Sequence, residues 1–369
     1  MNGLYKEKGV RFFAASNTKD GFVSYFDEIF RVGECDRIYI LKGGPGCGKS
    51  TFMKKLGEIS EEKGYSCEYF HCSSDPESLD GIIIKEKRVA VIDGTSPHAV
   101  EPKLSGVREI IIDLGRAWDT DKLFELGEDI ERLSLQKKKH YDDCYKFLYS
   151  KNVMDSLVYN LVFPYILFDK PDKTAKRLVD GIFKRHKKRG KSNVKTRLIS
   201  AFSSCGKIRL STFEDMAKMC VFVKEPFRGS CLPTHFLSAV FEFAKNYGTE
   251  IYVSYSSEKR AEINALYFPE IGVSVSAYDE KLVAECDRIG KKCRIINSAR
   301  FVDTKTFSHL NPLRKFYNKL SENMENHALN SIEMAGKVHS EIEKIYRQCT
   351  NYTAVENITN EYINKILNN

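Results

Sequence analysis

Short apolar runs and amphipathic stretches alternate along the chain. Three runs rich in β-branched and aromatic residues predict buried strands, at residues 37–42 (RIYILK), 67–70 (CEYF) and 88–92 (RVAVI). After the first run, Phe52, Met53, Leu56 and Ile59 recur at the spacing of one helical face, which predicts a helix ending near Gly64. Strands that alternate with helices predict an α/β fold with mainly parallel sheets.

The pattern repeats after 184 residues. Residues 64–120 align without a gap with residues 248–304, and twelve of the fifty-seven positions are identical. Apolar strand positions match more widely, for example Leu79 with Ile263. Self-similarity over such a length indicates a duplicated domain, so we expect two tandem lobes.

A helical tail follows each copy. Leu126, Ile130 and Leu133 lie at helical spacing after the first copy, and Leu320 and Met324 do so after the second. These tails either pack the two lobes together or form a partner-binding arm. The resulting prediction has four parts: a first lobe at residues 6–120, a helical arm at 121–196, a second lobe at 197–304 and a helical tail at 305–369.

Composition is that of an ordinary globular protein, with 42% apolar and 29% charged residues among 369. No run of about 20 apolar residues occurs, which argues against a membrane-spanning helix, and residues 1–13 lack the pattern of a secretory signal. The eleven cysteines are scattered, without a CxxC pair, so we expect reduced thiols rather than a disulfide framework or a zinc ribbon. Together these features predict a cytoplasmic location.

The positive charge is concentrated in one basic segment. Residues 184–197 (KRHKKRGKSNVKTR), from Lys184 to Arg197, contain eight lysines and arginines and no acid, which equals the net charge of +8 of the whole chain. This segment is either a solvated connection between the lobes or a docking patch for nucleic acid or another polyanion.

One glycine-rich segment, GGPGCGKST, carries the strongest functional signal, because it follows a predicted strand, precedes a predicted helix and matches G-x-x-x-x-G-K-[ST]. This glycine loop comprises Gly43, Gly44, Pro45, Gly46, Cys47, Gly48, Lys49, Ser50 and Thr51. Glycines let successive N–H groups turn toward a phosphate, and the helix N-terminus adds partial positive charge. The pattern predicts a nucleotide-binding loop in which Lys49 reaches the β- and γ-phosphates and Ser50 ligates Mg²⁺.

Residues at two further strand ends extend the predicted site. Asp93 ends the third run and is suited to hold Mg²⁺, whereas Gly94 stands where many motor-like ATPases carry a water-activating glutamate. Asp75 is either a general base near the γ-phosphate or a helix cap. We interpret His71 as a packing residue and His98 as structural or phosphate-sensing.

The second copy lacks this chemistry. Four charged positions of the first copy are replaced in the second: Lys49 by Pro233, Asp93 by Ala277, Asp75 by Lys259 and Asp80 by Asn264. Because these positions are lost together, we interpret them as one active constellation. Arg116 and Asp119 are kept in both copies, and we interpret them as a local pair that holds the fold.

The glycine motif resembles that of the P-loop NTPase superfamily, and the duplicated layout resembles a bacterial family of tandem P-loop ATPase-like proteins. The residues that carry the closer resemblance are KGGPGCGKSTFMKKL, YFHCSSDPESLDGIII, VAVIDGTSPHAVEP and IIDLGRAWD. The resemblance spans nearly the whole chain and implies two tandem P-loop NTPase-like lobes, of which the second is degenerate. It implies no particular substrate.

Three functions remain as hypotheses. The first is a slow ATPase or nucleotide switch that binds ATP and Mg²⁺ in the first lobe, with Lys49, Asp93 and Asp75 as catalytic residues and Ser50 and Asp93 as metal ligands. The second is a small-molecule or nucleotide kinase, in which Asp75 accepts the proton of the acceptor. The third is a nucleic-acid-associated or assembly factor gated by nucleotide. In each case we expect Cys47, at the start of a helix beside Lys49, to be unusually acidic.

Overall fold

The computed structural model describes residues 9–184, 186 and 190–368. The first half of the chain forms these strands and helices: β1 (Val10–Phe13), β2 (Ala15–Thr18), β3 (Gly21–Ser24), α1 (Phe26–Ile29), β4 (Arg37–Lys42), α2 (Lys49–Glu62), β5 (Cys67–His71), β6 (Leu79–Ile84), β7 (Val89–Asp93), β8 (Glu109–Asp113), α3 (Thr120–Glu125), α4 (Gly127–Val162) and α5 (Asp169–Ile182). The predicted strands at 37–42, 67–70 and 88–92 and the helix after the glycine loop are all present.

The second half repeats this order with one added helix. Its elements are β9 (Asn193–Thr196), β10 (Ser200–Ser203), β11 (Gly206–Arg209), α6 (Thr212–Met216), β12 (Met219–Lys224), α7 (Leu232–Ala244), β13 (Glu250–Tyr255), β14 (Ile263–Phe268), β15 (Val273–Ala277), α8 (Glu280–Arg288), β16 (Lys292–Asn297), α9 (Thr304–Phe307), α10 (Asn311–Gln348) and α11 (Tyr352–Asn368). The added helix is α8, which stands where the first half has a loop between β7 and β8.

The two lobes have the same sheet topology. The first sheet has the order β1-β5-β6-β7-β4-β8, and the second has β9-β13-β14-β15-β12-β16 when read from the corresponding edge. In each sheet five strands are parallel to one another and one strand, β6 or β14, runs opposite to its neighbours. The structure is therefore an α/β fold with two mixed, mainly parallel sheets, each followed by helices.

A shared apolar core joins the lobes. It contains Ile38 and Phe70 from the first sheet and Phe222 and Tyr252 from the second, all of them buried. Across it the backbone N–H of Phe13 donates to the carbonyl of Leu198 at 2.8 Å. Since burial of apolar side chains contributes most of the stability of a domain, the lobes are held as one packed unit.

The long helices α4 and α10 pack against each other in antiparallel directions. On α10 the buried residues Ala328, Ile332, Ala335, Val338 and Ile342 recur at intervals of three and four, which produces one apolar stripe. Small alanines in the stripe let the two helices approach closely. No helix in the described part of the chain is long and apolar enough to cross a membrane.

Each helical tail packs against the lobe that it does not directly follow in the sequence. The end of α4 and α5 pack into the core of the second lobe, through residues such as Val158 and Leu178. Reciprocally, α11 packs onto the first lobe through Ile363 and Ile366. Of the two roles open for the tails, joining the lobes is the one that these contacts support.

The basic segment is divided by the structure. Arg185 and residues 187–189 lie outside the described residues, whereas Lys195 and Arg197 are ion-paired, with Arg197 1% exposed. Strand β9 pairs with β13, so the second sheet begins upstream of the predicted boundary at residue 197. Arg197 therefore cannot take part in a surface patch for a polyanion, and the predicted patch loses part of its charge.

Candidate functional site

The glycine loop connects β4 to α2 at the carboxyl edge of the first sheet. Gly46 and Gly48 have φ angles of 72° and 95°, in the left-handed region that favours glycine. Gly48 is the N-cap of α2 and has no side chain to satisfy the first N–H groups of the helix. Pro45 is half-buried and Thr51 is exposed on the first turn of α2. The loop thus presents backbone donors and a helix N-terminus to whatever lies above it.

Cys47 lies beneath the loop rather than at its mouth. Its side chain is fully buried, and a Cβ atom placed on Gly43 would lie 2.6 Å from the Cys47 sulfur. Burial raises the pKa of this thiol, although Lys49 beside it acts in the opposite direction. The expectation of an acidic thiol at this position was wrong, because desolvation outweighs the nearby positive charge.

Lys49 folds back over the glycine loop. Its Nζ donates to the carbonyls of Gly43 at 2.8 Å and Gly44 at 2.9 Å, and it lies 3.5 Å from Oδ2 of Asp93. The ammonium group is therefore held between the loop and the end of β7. A lysine whose partners are mostly neutral carbonyls can exchange them for a stronger anionic partner.

Ser50 and Asp93 supply hard oxygen atoms beside Lys49. The hydroxyl oxygen of Ser50 accepts from the N–H of Leu79 at 3.0 Å. Oδ1 of Asp93 accepts from the N–H and the hydroxyl of Thr95, at 2.9 and 2.6 Å. Burial raises the pKa of Asp93, although Lys49 and the hydrogen bonds from Thr95 oppose this. A hydroxyl and a carboxylate are donors that Mg²⁺ accepts, so the residues present fit that ion.

Asp80 and His98 form a buried pair next to Asp93. Nε2 of His98 lies 2.9 Å from Oδ2 of Asp80, and both side chains are about 5% exposed or less. In the antiparallel pairing of β6 with β7, Gly81 lies opposite Ile92. Asp80, one residue earlier, therefore faces Asp93. Burial alone would lower the pKa of His98, but the carboxylate and hydrogen bond of Asp80 raise it above its usual value. His98 also stacks on Phe26 at 4.4 Å.

Asp75 caps a turn and not a helix. Its carboxylate accepts from the hydroxyl of Ser78 at 2.6 Å and from the N–H of Glu77 at 3.3 Å. His71 is buried, and its Nδ1 lies 2.7 Å from the carbonyl of Pro76, so it closes the same turn as expected for a packing residue. Burial lowers the pKa of His71 to about 4. The predicted helix cap is therefore wrong, because a turn follows Asp75; a role as a general base stays a prediction.

Asp119 holds a helix start, but not by pairing with Arg116. Its carboxylate accepts from the N–H of Lys122 as the N-cap of α3, and Asp303 caps α9 in the same way. No ion pair joins Arg116 to Asp119 within the described residues. The predicted pair is therefore wrong, whereas the structural role of the aspartate is confirmed.

Cationic side chains from the helix pair α4 and α10 also reach this region. Lys137 lies 3.5 Å from Nδ1 of His339, and no carboxylate in the described ranges lies within ion-pair distance of its ammonium group. Burial lowers the pKa of Lys137. Partial burial also lowers the pKa of His339, and Lys137 and Lys49 act in the same direction. Lysines are rarely buried without an anionic partner. A bound anion would therefore stabilise the positive charge of Lys137.

The end of the second tail forms one wall of the loop. A Cβ atom on Gly44 would lie 2.8 Å from the Tyr346 ring, and one on Gly46 would lie 3.1 Å from Cγ of Arg347. The hydroxyl of Tyr352 donates to the carbonyl of Gly46 at 2.9 Å. Nothing in the spacing of the sequence connects these residues to the loop, because they lie about 300 positions away and on the other tail.

In the second lobe, the region that corresponds to the glycine-loop site is lined with ion pairs. Lys151 lies 2.8 Å from Asp155 and 2.6 Å from Glu258, and Lys207 lies 2.8 Å from Glu325. These residues line a cavity of about 550 Å³. At this place the second lobe therefore carries charges that neutralise one another.

The start of α7 also differs slightly from the alignment. Its N-cap is Cys231, so Leu232 and not Pro233 takes the first helical position, where α2 has Lys49. Neither residue carries a charge, and the loss of the lysine in the second copy stands. No family model, no curated protein and no solved structure shows a significant match to this chain.

Proposed function

We propose that the first lobe binds a nucleoside triphosphate, ATP by preference, together with Mg²⁺, and that the protein is a slow ATPase or a nucleotide-dependent switch. The proposal takes the glycine loop as a P-loop and the second lobe as its degenerate copy. The observation that carries it is the convergence of the loop, the Lys49 ammonium group and a half-buried Lys137 without a carboxylate partner.

The backbone N–H groups of the glycine loop and the N-terminus of α2 favour an anion. Gly46 and Gly48 adopt left-handed conformations, which let the loop turn its N–H groups inward without obstruction by side chains. The helix N-terminus contributes about half a positive charge. A phosphate chain is the ligand that matches such a loop.

Side-chain charge supports the same ligand. Lys49 and Lys137 approach from two elements, and His339 adds a further donor. Arg347 approaches from α10 and is paired with Glu343 at 3.5 Å. Asp93 is the carboxylate that contacts Lys49, and it is needed for the metal. A triphosphate with Mg²⁺ would balance these charges better than a neutral metabolite would.

Each residue then has a role in the proposed reaction. Lys49 stabilises the charge that develops on the γ-phosphoryl group, and Ser50 and Asp93 hold Mg²⁺. When bound, Mg²⁺ would neutralise part of the negative charge of the phosphates. Asp75 lies close enough to His339 for its carboxylate to act on the pKa of that imidazole. In the proposed reaction Asp75 would orient the attacking water.

Packing at Gly94 supports slow hydrolysis. A Cβ atom on Gly94 would lie 2.2 Å from Cγ2 of Ile40. No side chain, and so no glutamate, fits there without movement of the sheet. The position after Asp93 therefore supplies no base for the attacking water.

Nucleotide binding can be followed through the single tryptophan, Trp118. Its ring lies 3.2 Å from the Cβ position of Gly44 and 5.6 Å, centroid to centroid, from Tyr346. We expect Mg-ATP to change the fluorescence of Trp118 with a stoichiometry of one per chain. The Lys49→Ala variant should bind about 10- to 100-fold more weakly, since it loses charge-assisted hydrogen bonds.

Lys55→Ala is the matched control. Lys55 lies on the same helix and is 38% exposed, so its removal deletes the same charge without touching the loop. Equal nucleotide affinity of the wild type and Lys49→Ala, or no Mg-dependent binding at all, would refute the proposal. Turnover measured on the same samples then separates an ATPase from a switch.

A further inference from the structure

Three cysteine thiols meet in the second lobe, away from the glycine loop. The sulfur atoms of Cys220, Cys286 and Cys293 all lie within 4.8 Å of one another, and those of Cys220 and Cys286 are 3.9 Å apart. Cys220 and Cys286 are buried, whereas Cys293 is partly exposed. The thiols come from three elements, β12, α8 and β16, so the fold brings them together and their spacing in the sequence does not.

The strand register explains the juxtaposition. Cys220 pairs with Cys293 on one side and with Ser274 on the other, across parallel strands, so the three side chains point to the same face. Cys286 reaches that face from α8. The hydroxyl of Ser274 is fully buried and faces the Cys220 sulfur, without a well-formed hydrogen bond to another described residue.

The first lobe has no thiols at the equivalent register. Ile38 pairs there with Ala90 and Glu109, in the places of Cys220, Ser274 and Cys293. Two of these places are apolar in the first lobe, and at the third the Glu109 carboxylate accepts from the N–H of Leu104 at 2.8 Å. The second lobe carries donor atoms in the same places, together with α8 as an extra element that adds the third sulfur.

The sulfur positions suit a metal ion. With metal–sulfur bonds of about 2.3 Å, sulfur atoms around one ion lie about 3.8 to 4.0 Å apart. The separation of Cys220 and Cys286 already has this value, and Cys293 needs a shift of at most about 1 Å. A disulfide would instead require the two sulfurs to close to about 2.05 Å.

We propose that Cys220, Cys286 and Cys293 bind a single thiophilic metal ion, of the zinc or copper(I) type, with the Ser274 hydroxyl or a water molecule available as a fourth ligand. Thiolates select these soft or borderline ions over Mg²⁺. Each thiol releases its proton to solvent as its sulfur–metal bond forms, and no electron is transferred. Three thiolates with Zn²⁺ carry one net negative charge, and the ammonium group of Lys291 lies close by on the carbonyls of Glu214 and Asp215.

The bound ion would fix α8 to the sheet. In the described structure α8 meets this part of the core through only a few buried side chains, among them Val283 and Cys286. A link from Cys286 to β12 and β16 would attach the helix to two strands at once. The site is thus a structural metal site in the lobe that lacks the phosphate-binding residues.

The test is metal titration of the full-length, fully reduced protein under anaerobic conditions. Zn²⁺ in competition with a chromogenic chelator, and Co²⁺ as its coloured substitute, should each bind at one ion per chain, and Co²⁺ should give thiolate charge-transfer absorption. A separate titration with Cu⁺ decides between the two ion types. Cys286→Ser should lower the affinity by about 100-fold or more.

Cys144→Ser is the matched control, because Cys144 is also fully buried but lies between α4 and α10, outside the cluster. It should keep the metal. If Cys286→Ser fails to fold, alkylation mapped by mass spectrometry on the wild type replaces it. There the metal should protect Cys293, the partly exposed thiol of the three, while the exposed Cys205 stays reactive. No binding by the wild type, equal affinity in Cys286→Ser, or binding that leaves Cys293 as reactive as in the metal-free protein would overturn the proposal.

Discussion

Replacing Arg197 tests how the two lobes are joined. Arg197 on the segment after β9 is 1% exposed, and its guanidinium group contacts Glu68 on β5 of the other lobe at 2.8 Å. It also lies 3.5 Å from Glu34. Arg197→Met keeps most of the apolar stem but removes the charge, so Glu68, which is equally buried, loses its main partner.

The magnitude follows from the choice that remains for Glu68. It can stay charged, with Lys85 at 2.9 Å as its remaining partner, or it can take up a proton. Protonation at pH 7 costs about 1.36 kcal/mol for each of the about 2.7 units above the ordinary glutamate pKa of about 4.3, or about 3.7 kcal/mol. Breaking a buried ion pair typically costs about 3–5 kcal/mol. We therefore expect the free energy of unfolding to fall by about 3–4 kcal/mol at pH 7.

The pH dependence has a definite sign. In the wild type, burial raises the pKa of Glu68, but Arg197 and Lys85 lower it below the ordinary value, so its contribution is complete above about pH 4.3 and is lost as the pH falls. In Arg197→Met the folded-state pKa rises instead, so the variant loses stability as the pH rises. The difference should shrink to about 1 kcal/mol at pH 5.

Urea unfolding at pH 5 and pH 7 measures both values. Lys195→Met, two residues earlier on β9 and with a partly exposed side chain, should cost about 1 kcal/mol or less. Adding Glu68→Gln to Arg197→Met should restore much of the loss. A loss below about 1 kcal/mol at pH 7, or one that does not change with pH, would refute the reasoning.

Three further predictions concern the residues at and around the glycine loop of the first lobe. Lys137→Met should weaken nucleotide binding about tenfold while leaving thermal stability unchanged or higher, because a half-buried unpaired charge is removed; calorimetric titration and thermal unfolding measure the two effects. Gly46→Ala and Gly106→Ala should each cost about 1–2 kcal/mol of stability, because both glycines have a positive φ. Gly46→Ala should cost more, because only Gly46 has close neighbours that an added Cβ atom would meet; equal losses would contradict this. Asp80→Asn should destabilise most below about pH 6.5 and less as the pH rises through the raised pKa of His98, and a thermal melting series that shows a growing difference would disprove it.

Local chemistry made part of this structure predictable. β4, the glycine loop and α2 follow from the run RIYILK, the glycines and the helical spacing after them, because each depends on residues close in sequence. The duplication was visible because the shift of 184 residues places β7 on β15 without a gap. Asp93 at the end of its strand was predictable for the same reason.

Tertiary contacts account for what the sequence could not reveal. The apolar stripe of α10 predicts a buried face, but not that α11 beyond it covers the opposite lobe. Lys137 and His339 are ordinary surface residues by pattern, and only the antiparallel packing of α4 and α10 brings them together. Cys47 was misjudged because its burial depends on the close contact with Gly43, which no spacing rule contains.

The exchange of the tails gives the protein a mechanical property. Since α11 is anchored to the first lobe while α10 begins at the end of the second, a displacement of the second lobe would be transmitted along the thirty-eight residues of α10 to the wall of the glycine loop. Severing the chain between its halves would leave each fragment without its outer layer, and the two would have to reassemble to regain it. The second half is thus mechanically connected to the glycine loop of the first half.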